Sequence, residues 1–413
     1  MNDMLRESPY PMLAVEDALA TVLAHVRHLP LEQVDALRAE GRILADDLVA
    51  PEDLPDLPKA AMDGYALRSS DGLIPRRVVA ELTAGVNPTL LVGPGEASRI
   101  MTGTPMPAGA DAMIPVEQTR ETEGMLVIER VVRPGEHVHS VGQDLSRGAL
   151  VLARGTRLTP ADVGIMATLG ITQVAVFRRP RVAVLATGDE VYEPSAPRPV
   201  GAVRDSNRYA LLAAVREAGG VAISLGIARD DRETQRRAIL EGIAQADVLL
   251  TSGGVSMGTR DLIKPILAEL GTIHFGRIKF KPGKPTTFAS VGDTLVFGLP
   301  GYPVSSLVAF EIIVRPALRA LQGDPQPLRP RVLARVETDI RPSSDRPEYQ
   351  RVRLSWRGSE LWATSTGNQG SSRLLSLHGA NGLLIVPPGL QIYPAGSSLE
   401  VLVTGEIFNQ NIG

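Results

Sequence analysis

The stretch T-S-G-G-V-S-M-G-T-R-D, residues 251–261, decides the fold of this chain. It follows the apolar run Val248, Leu249, Leu250, and the spacing of Leu262, Ile263, Ile266, Leu267 and Leu270 begins directly after it. A short apolar run halted by glycines reads as a buried strand, and apolar residues three and four apart read as a helix. The stretch is therefore expected to be a strand-to-helix loop. Gly253 and Gly254 let backbone N–H groups approach a ligand with no Cβ in the way, and Ser252, Ser256 and Thr259 add hydroxyl donors. The helix that follows points its positive end at the same place. An anion cradle with one carboxylate, Asp261, beside it is one reading, and a plain tight turn is the other. The neighbouring stretches decide between them.

Working outward, the apolar runs 182–185 and 221–225 end in loops of the same character, A-T-G-D-E (186–190) and A-R-D-D (228–231). Helical spacing over about 206–218 and 232–245 separates them. Strand alternating with helix implies an α/β domain built on a parallel doubly wound sheet, because right-handed crossovers bring every strand's carboxyl end to one edge. Ligands of such sheets bind outside that edge. Asp189, Glu190, Asp230, Asp231 and Asp261 are thus expected to converge there. Further on, a strand-like run at 273–280 enters K-P-G-K-P (281–285), and a hairpin-like pair at 286–291 and 294–298 delivers L-P-G-Y-P (299–303) with Pro300 and Gly301. Of 43 lysines and arginines only five are lysine, at 59, 264, 279, 281 and 284. Where arginine serves nearly everywhere else, Lys281 and Lys284 are expected to be wanted as compact point charges for an oxyanion, on a loop stiffened by Pro282 and Pro285.

The 413 residues suffice for two to four domains, and 44% hydrophobic with 22% charged residues is the composition of an ordinary globular protein. A net charge of −3 and 4% aromatic residues supply neither phosphate neutralisation nor base stacking, so no nucleic-acid partner is expected. The absence of cysteine excludes disulfides and thiolate metal sites and fits a cytoplasmic location. Neither a signal-peptide pattern nor an 18-residue apolar run is present, so no membrane partner is expected.

Four domains are read from the pattern. Residues 1–50 with 149–177 form a mixed α/β linker domain, 51–148 a small β domain, 178–322 the central α/β domain, and 328–413 a C-terminal β barrel. Thr159 is placed as a helix N-cap with Pro160 behind it, and Pro316 is expected to kink or end the helix at 304–321.

The motif set resembles one family over essentially its full length, the molybdopterin molybdenumtransferases, also found as the E domain of gephyrin. The matching segments are MDGYA (62–66), RIMTGTPMPAGADA (99–112), ATGDE (186–190), DSN (205–207), ARDD (228–231), TSGGVSMGTRD (251–261), KPGKP (281–285), GLPG (298–301), EYQR (348–351) and GNQGSS (367–372). The resemblance implies an elongated homodimer of four-domain subunits with a cleft shared between subunits. It implies the last step of molybdenum cofactor synthesis, in which molybdopterin adenylate and molybdate give molybdenum cofactor and AMP with help from a divalent cation such as Mg2+. It also implies residue roles. Asp189 and Glu190 would bind the metal or act as acid and base, with Asp230 and Asp231 in support. Asp261 would orient the pterin or its phosphate, and Ser252, Gly253, Gly254, Ser256, Pro300 and Gly301 would line the substrate pocket. Lys281 and Lys284 would neutralise phosphate or molybdate, and Arg351 with Ser371 would complete the molybdate pocket. Asp63, Thr102 and Asp144 would reach the cleft from the partner subunit, and an upstream adenylyltransferase is a possible partner. The chain departs from the family pattern at Tyr302, where asparagine is common, and at H-S-V-G-Q-D (139–144), where basic residues commonly precede Gly-Glu-Asp.

Three rival readings compete. Gly254-Val255-Ser256-Met257-Gly258 matches a nucleophile elbow with His378 downstream, but two residues intervene between strand and motif and His378 falls in another domain. A nucleotide pyrophosphohydrolase on the same α/β domain would need no molybdate. A non-catalytic scaffold would have no use for the carboxylate and lysine set.

Overall fold

The computed structural model describes residues 10–85, 89–254, 262–342 and 345–409. The chain forms two compact units, one of Met1–Val34, Ala39–Ala45 and Ala175–Gly413, the other of Asp35–Arg38 and Asp46–Val174. No helix among the described residues is long and apolar enough to cross a membrane.

The larger unit is built on six strands, β1 (Arg181–Thr187), β2 (Val221–Ala228), β3 (Val248–Ser252), β4 (Thr272–Phe275), β5 (Thr287–Val291) and β6 (Thr294–Leu299). Their order across the sheet is β2-β1-β3-β6-β5-β4. The first four are parallel, with Val182 beside Ala222 and Val248, and Val248 beside Leu295. The last two are antiparallel, so the sheet is mixed rather than wholly parallel. The reason is local. Gly292 and Asp293 alone join β5 to β6, and a two-residue turn can only reverse the chain. The strand expected over 273–280 stops at Phe275, because the next residues give their hydrogen bonds to Leu13, which accepts from Lys279 N at 2.7 Å and donates to Arg277 O at 3.2 Å.

Helices α1 (Asn207–Glu217), α2 (Arg232–Gln245) and α3 (Ile263–Leu270) cover both faces. Residues along a strand alternate between faces, and the cores record it: Val182, Val184, Val248 and Leu250 pack with Leu211, Val215 and Phe297, whereas Ala183, Leu185 and Leu249 pack with Ile239, Ile266 and Leu267. Burial on both faces is why these strands read as continuous apolar runs. The helix after β6 runs from Pro303 to Leu321 with a π turn over Phe310–Val314. Pro316 has no N–H and its ring crowds the carbonyl four residues back, so the helix widens by one residue there rather than ending.

Strands β7 (Arg331–Val336), β8 (Glu348–Arg357), β9 (Glu360–Ser365), β10 (Gly382–Val386) and β11 (Ser398–Val403) close into a five-stranded barrel, since β8 pairs with both β10 and β9. Its interior holds Val336, Val352, Leu354, Leu384 and Val401. Its outward residues Tyr349, Leu383 and Leu402 join the core of the α/β sheet. The smaller unit carries a six-stranded sheet in which Gly64–Leu67 lies between Glu96–Ile100 and Ala112–Pro115, and a helix, Pro160–Thr168, capped reciprocally by Thr159 and Asp162.

Candidate active site

The four parallel strands end in a row. β1 runs into Gly188-Asp189-Glu190, β2 into Arg229-Asp230-Asp231, β3 into Gly253-Gly254 and β6 into Pro300-Gly301. Asp189 and Asp230 clasp each other: Asp230 N–H donates to Asp189 Oδ1 at 3.1 Å, and Asp189 N–H donates to Asp230 Oδ2 at 3.4 Å. Arg229 steadies that clasp from one side, donating to Asp189 O at 2.7 Å and stacking over the Tyr192 ring. Glu190 is exposed, and its carboxylate curls back over Gly188, where a Cβ would sit 2.7 Å from Glu190 Oε2. Asp231 has a structural task as well. Its carboxylate caps α2 by accepting from Thr234 N at 2.8 Å, and the Thr234 hydrogen bonds hold it below the ordinary carboxylate range. Ser256 and Asp261 lie outside the described residues.

The two glycine loops are sewn together. Gly253 N donates to Leu299 O at 3.1 Å, and a Cβ on Gly253 would meet Thr187 O at 2.9 Å. Gly253 has φ +93, so a side chain here would be both strained and crowded. Ser252 is buried and accepts from the amide of Asn207 at 2.7 Å. Asn207 stands within the D-S-N segment, to which the sequence attached no role.

Where the α/β sheet domain meets the barrel, a pocket of about 670 Å³ is lined by Lys281, Lys284, Ser305, Glu348, Gln369 and Ser371, among others. The K-P-G-K-P loop is clamped to the start of β8: Lys281 N donates to Pro347 O at 2.9 Å and Tyr349 N donates to Lys281 O at 2.8 Å. Gly283 has φ +142, and a Cβ there would lie 2.2 Å from the Phe280 ring. The two lysines are not equivalent. Lys281 Nζ lies 3.2 Å from the buried carboxylate of Glu348, whereas Lys284 is exposed at the pocket wall. Glu348 belongs to the E-Y-Q-R segment, yet only the fold reveals that it faces Lys281.

Ser371 lines the pocket and its carbonyl accepts from Val304 N at 3.1 Å, which joins this pocket to the loop carrying Gly301. Arg351 sits behind that wall. It is fully buried, donates from Nε to Ser376 Oγ at 3.0 Å and from Nη2 to Gly370 O at 3.4 Å, and burial pushes its guanidinium down to about 10. It holds the loop that presents Ser371. In the smaller unit Asp63 and Thr102 come together, Asp63 Oδ1 accepting from Thr102 N and Oγ1 at 2.7 Å each, which holds its carboxyl low. Gly64 beside it cannot carry a side chain, since a Cβ would lie 2.0 Å from Ile114 O. Asp144 is exposed and anchored through its own N–H to Leu54 O at 2.9 Å.

Comparison with known proteins agrees with this layout. Residues 13–170 match the MoeA N-terminal region (domain I and II), 183–320 a probable molybdopterin binding domain, and 334–404 the MoeA C-terminal region (domain IV). The chain is 35% identical to molybdopterin molybdenumtransferase 2 of Mycobacterium tuberculosis, covering 94% of this chain and 99% of that one. It is 33% identical to molybdopterin molybdenumtransferase of Haemophilus influenzae, covering 97% and 100%. It is 34% identical to gephyrin of Dictyostelium discoideum over 98% of this chain, and it spans only 64% of that longer protein. A solved molybdopterin biosynthesis MoeA protein from Pyrococcus horikoshii superposes with a TM-score of 0.82 at 28% identity, covering 95% of this chain and 100% of that one. The chain therefore belongs to the molybdopterin molybdenumtransferase family, enzymes of molybdenum cofactor biosynthesis.

Proposed function

We propose that this enzyme inserts molybdenum into molybdopterin: adenylated molybdopterin and molybdate are converted to molybdenum cofactor and AMP, with Mg2+ assisting. The observation that carries the reading is the adjacency of two differently built anion sites. The strand-end loops of β3 and β6 offer close backbone approach suited to a phosphate ester. The Lys284 pocket, joined to them through Ser371 and Val304, offers charge suited to a compact tetrahedral dianion.

The donor set at Asp189 fits a hard divalent cation. Among the described residues no group of three or more His, Cys, Asp or Glu is gathered for a fully protein-ligated metal. Magnesium commonly takes one or two carboxylates and completes its shell with water and substrate phosphate. Asp189 with Asp230 would hold it, and Glu190 is within the same loop. When bound, the cation would supply charge neutralisation to the phosphate oxygens. The protein's own part is to hold the adenylate phosphate against the glycine loops, to keep Asp189 fixed by Arg229, and to place molybdate against Lys284 and Ser371. Asp261 and Ser256 are proposed for the pterin side. Asp63, Thr102 and Asp144 are proposed to act in a cleft shared within a homodimer.

The test is AMP release from molybdopterin adenylate with Mg2+, with and without molybdate. Release that requires molybdate supports the reading. Equal release without molybdate would assign a pyrophosphohydrolase, and no release under either condition would leave a binding protein.

A further inference from the structure

Asn207 opens α1 at the edge where the strand-end loops meet. Its Nδ2 donates to Ser252 Oγ at 2.7 Å and to Gly301 O at 2.8 Å. One amide therefore joins the loop after β3 to the loop after β6. The loops are close enough that a Cβ on Gly301 would lie 3.7 Å from Gly253 Cα. The orientation of the amide is fixed by chemistry, since a backbone carbonyl can only accept and the group facing Gly301 O must be the NH2 end. Asn207 Oδ1, on the other side, is buried with no hydrogen-bond partner among the described residues. A buried acceptor left unpaired is a cost, and here it accompanies an amide whose two N–H donors are both spent on the loops.

From this geometry we infer that Asn207 is a positioning residue that turns the junction of the two loops into a donor-only cradle for the phosphate of the adenylated substrate. The inference rests on the reading above and extends it to a residue with no role assigned. The argument is one of sign. A phosphate presents only acceptors, so an uncovered carbonyl or an inward lone pair at its seat would repel it. Asn207 covers the Gly301 carbonyl and occupies a lone pair of Ser252 Oγ, which leaves the Ser252 O–H free to donate. An aspartate at 207 has nearly the same shape and reverses both effects. It would draw the Ser252 proton to itself and leave the Gly301 carbonyl bare, with an added negative charge beside the phosphate.

The experiment measures AMP binding by calorimetry, with Mg2+ present, for the full chain and for N207D, N207A, S252A and N207D/S252A. Melting temperature and steady-state kinetics on the adenylate accompany it. N207D is expected to weaken AMP binding by more than about ten-fold, the scale of a lost hydrogen bond to a charged group, and N207A by less. KM for the adenylate should rise by more than kcat falls. S252A should cost little further in the N207D background, because Asn207 acts through that hydroxyl. N207D binding AMP as wild type does, or losses from N207D and S252A that simply add, would overturn this proposal alone. If N207D does not fold, the cycle of N207A with S252A decides by the same criterion. A wild-type protein that binds no AMP overturns the adenylate reading, and this proposal with it.

Discussion

Asp189 earns its place by what surrounds it. Its backbone and carboxylate are both tied to Asp230, and its carbonyl to Arg229, so the group is oriented before any ligand arrives. Asp189→Asn keeps the shape and removes the charge. It is expected to weaken Mg2+ activation by more than about 100-fold with an unchanged melting temperature, checked by titrating the rate with Mg2+. The two loop lysines separate in the same way. Lys281 is engaged by buried Glu348, so of the two lysines Lys284 is the one proposed to meet an incoming anion, with Arg346 on the same lining. Lys284→Ala should raise KM for molybdate by about ten-fold or more while Lys281→Ala should chiefly destabilise the loop, since it removes an ion pair to the buried Glu348 carboxylate. Steady-state kinetics in molybdate, set beside melting temperatures, tell the two apart.

The K-P-G-K-P loop is an element only because Gly283 is glycine. An alanine there would place its Cβ inside the buried Phe280 ring at a φ that side chains avoid, and overpacking of this kind costs about 1–3 kcal/mol. Gly283→Ala should therefore lower the denaturation midpoint and weaken molybdate binding together. A second element responds to pH. The N-terminal helix Val15–Ala24 ends at His25, whose ring lies 3.9 Å from that of His274 on β4, with Phe288 against both and Ser290 Oγ 2.9 Å from His274 Nε2. Burial, then the neighbouring His25, pushes His274 below the usual histidine value. The unfolded chain thus binds the proton more readily, and stability should fall as pH drops from about 6.5 toward the lower folded value. Protection factors over residues 15–24, which remove the intrinsic pH dependence of amide exchange, should fall as pH drops across that window, and His274→Gln should flatten the response.

For the larger unit, the barrel and the α/β sheet share one core. Tyr349 is 3% exposed and meets Phe280 edge-on at 5.9 Å, and Leu383 and Leu402 pack into the same cluster as Phe288 and Phe297. The Lys284 pocket is made of both parts, so it exists only while they stay joined. Tyr349→Ala should cost about 3 kcal/mol, as large-to-small changes of buried aromatics do, and should loosen molybdate binding although Tyr349 does not line the pocket. Calorimetry is expected to show barrel and sheet melting in one transition.

Much of this was legible because it is local. Continuous apolar runs marked strands buried on both faces, glycines after them marked loops held close to neighbouring backbone, and the scarcity of lysine marked the K-P-G-K-P turn. The Thr159 cap with Pro160 behind it was likewise written in two adjacent residues and formed as expected. What the sequence could not supply was partnership across distance. That Glu348 faces Lys281, that Arg351 stands behind Gly370, and that Asn207 spans Ser252 and Gly301 are decided by which strands lie side by side. The same holds for the two antiparallel strands at the sheet edge. Local propensity and loop chemistry act over a few residues and can be read along the chain. Charge pairing and hydrogen-bond direction act through space, and only the tertiary fold brings residues 67 to 94 positions apart within reach of one another.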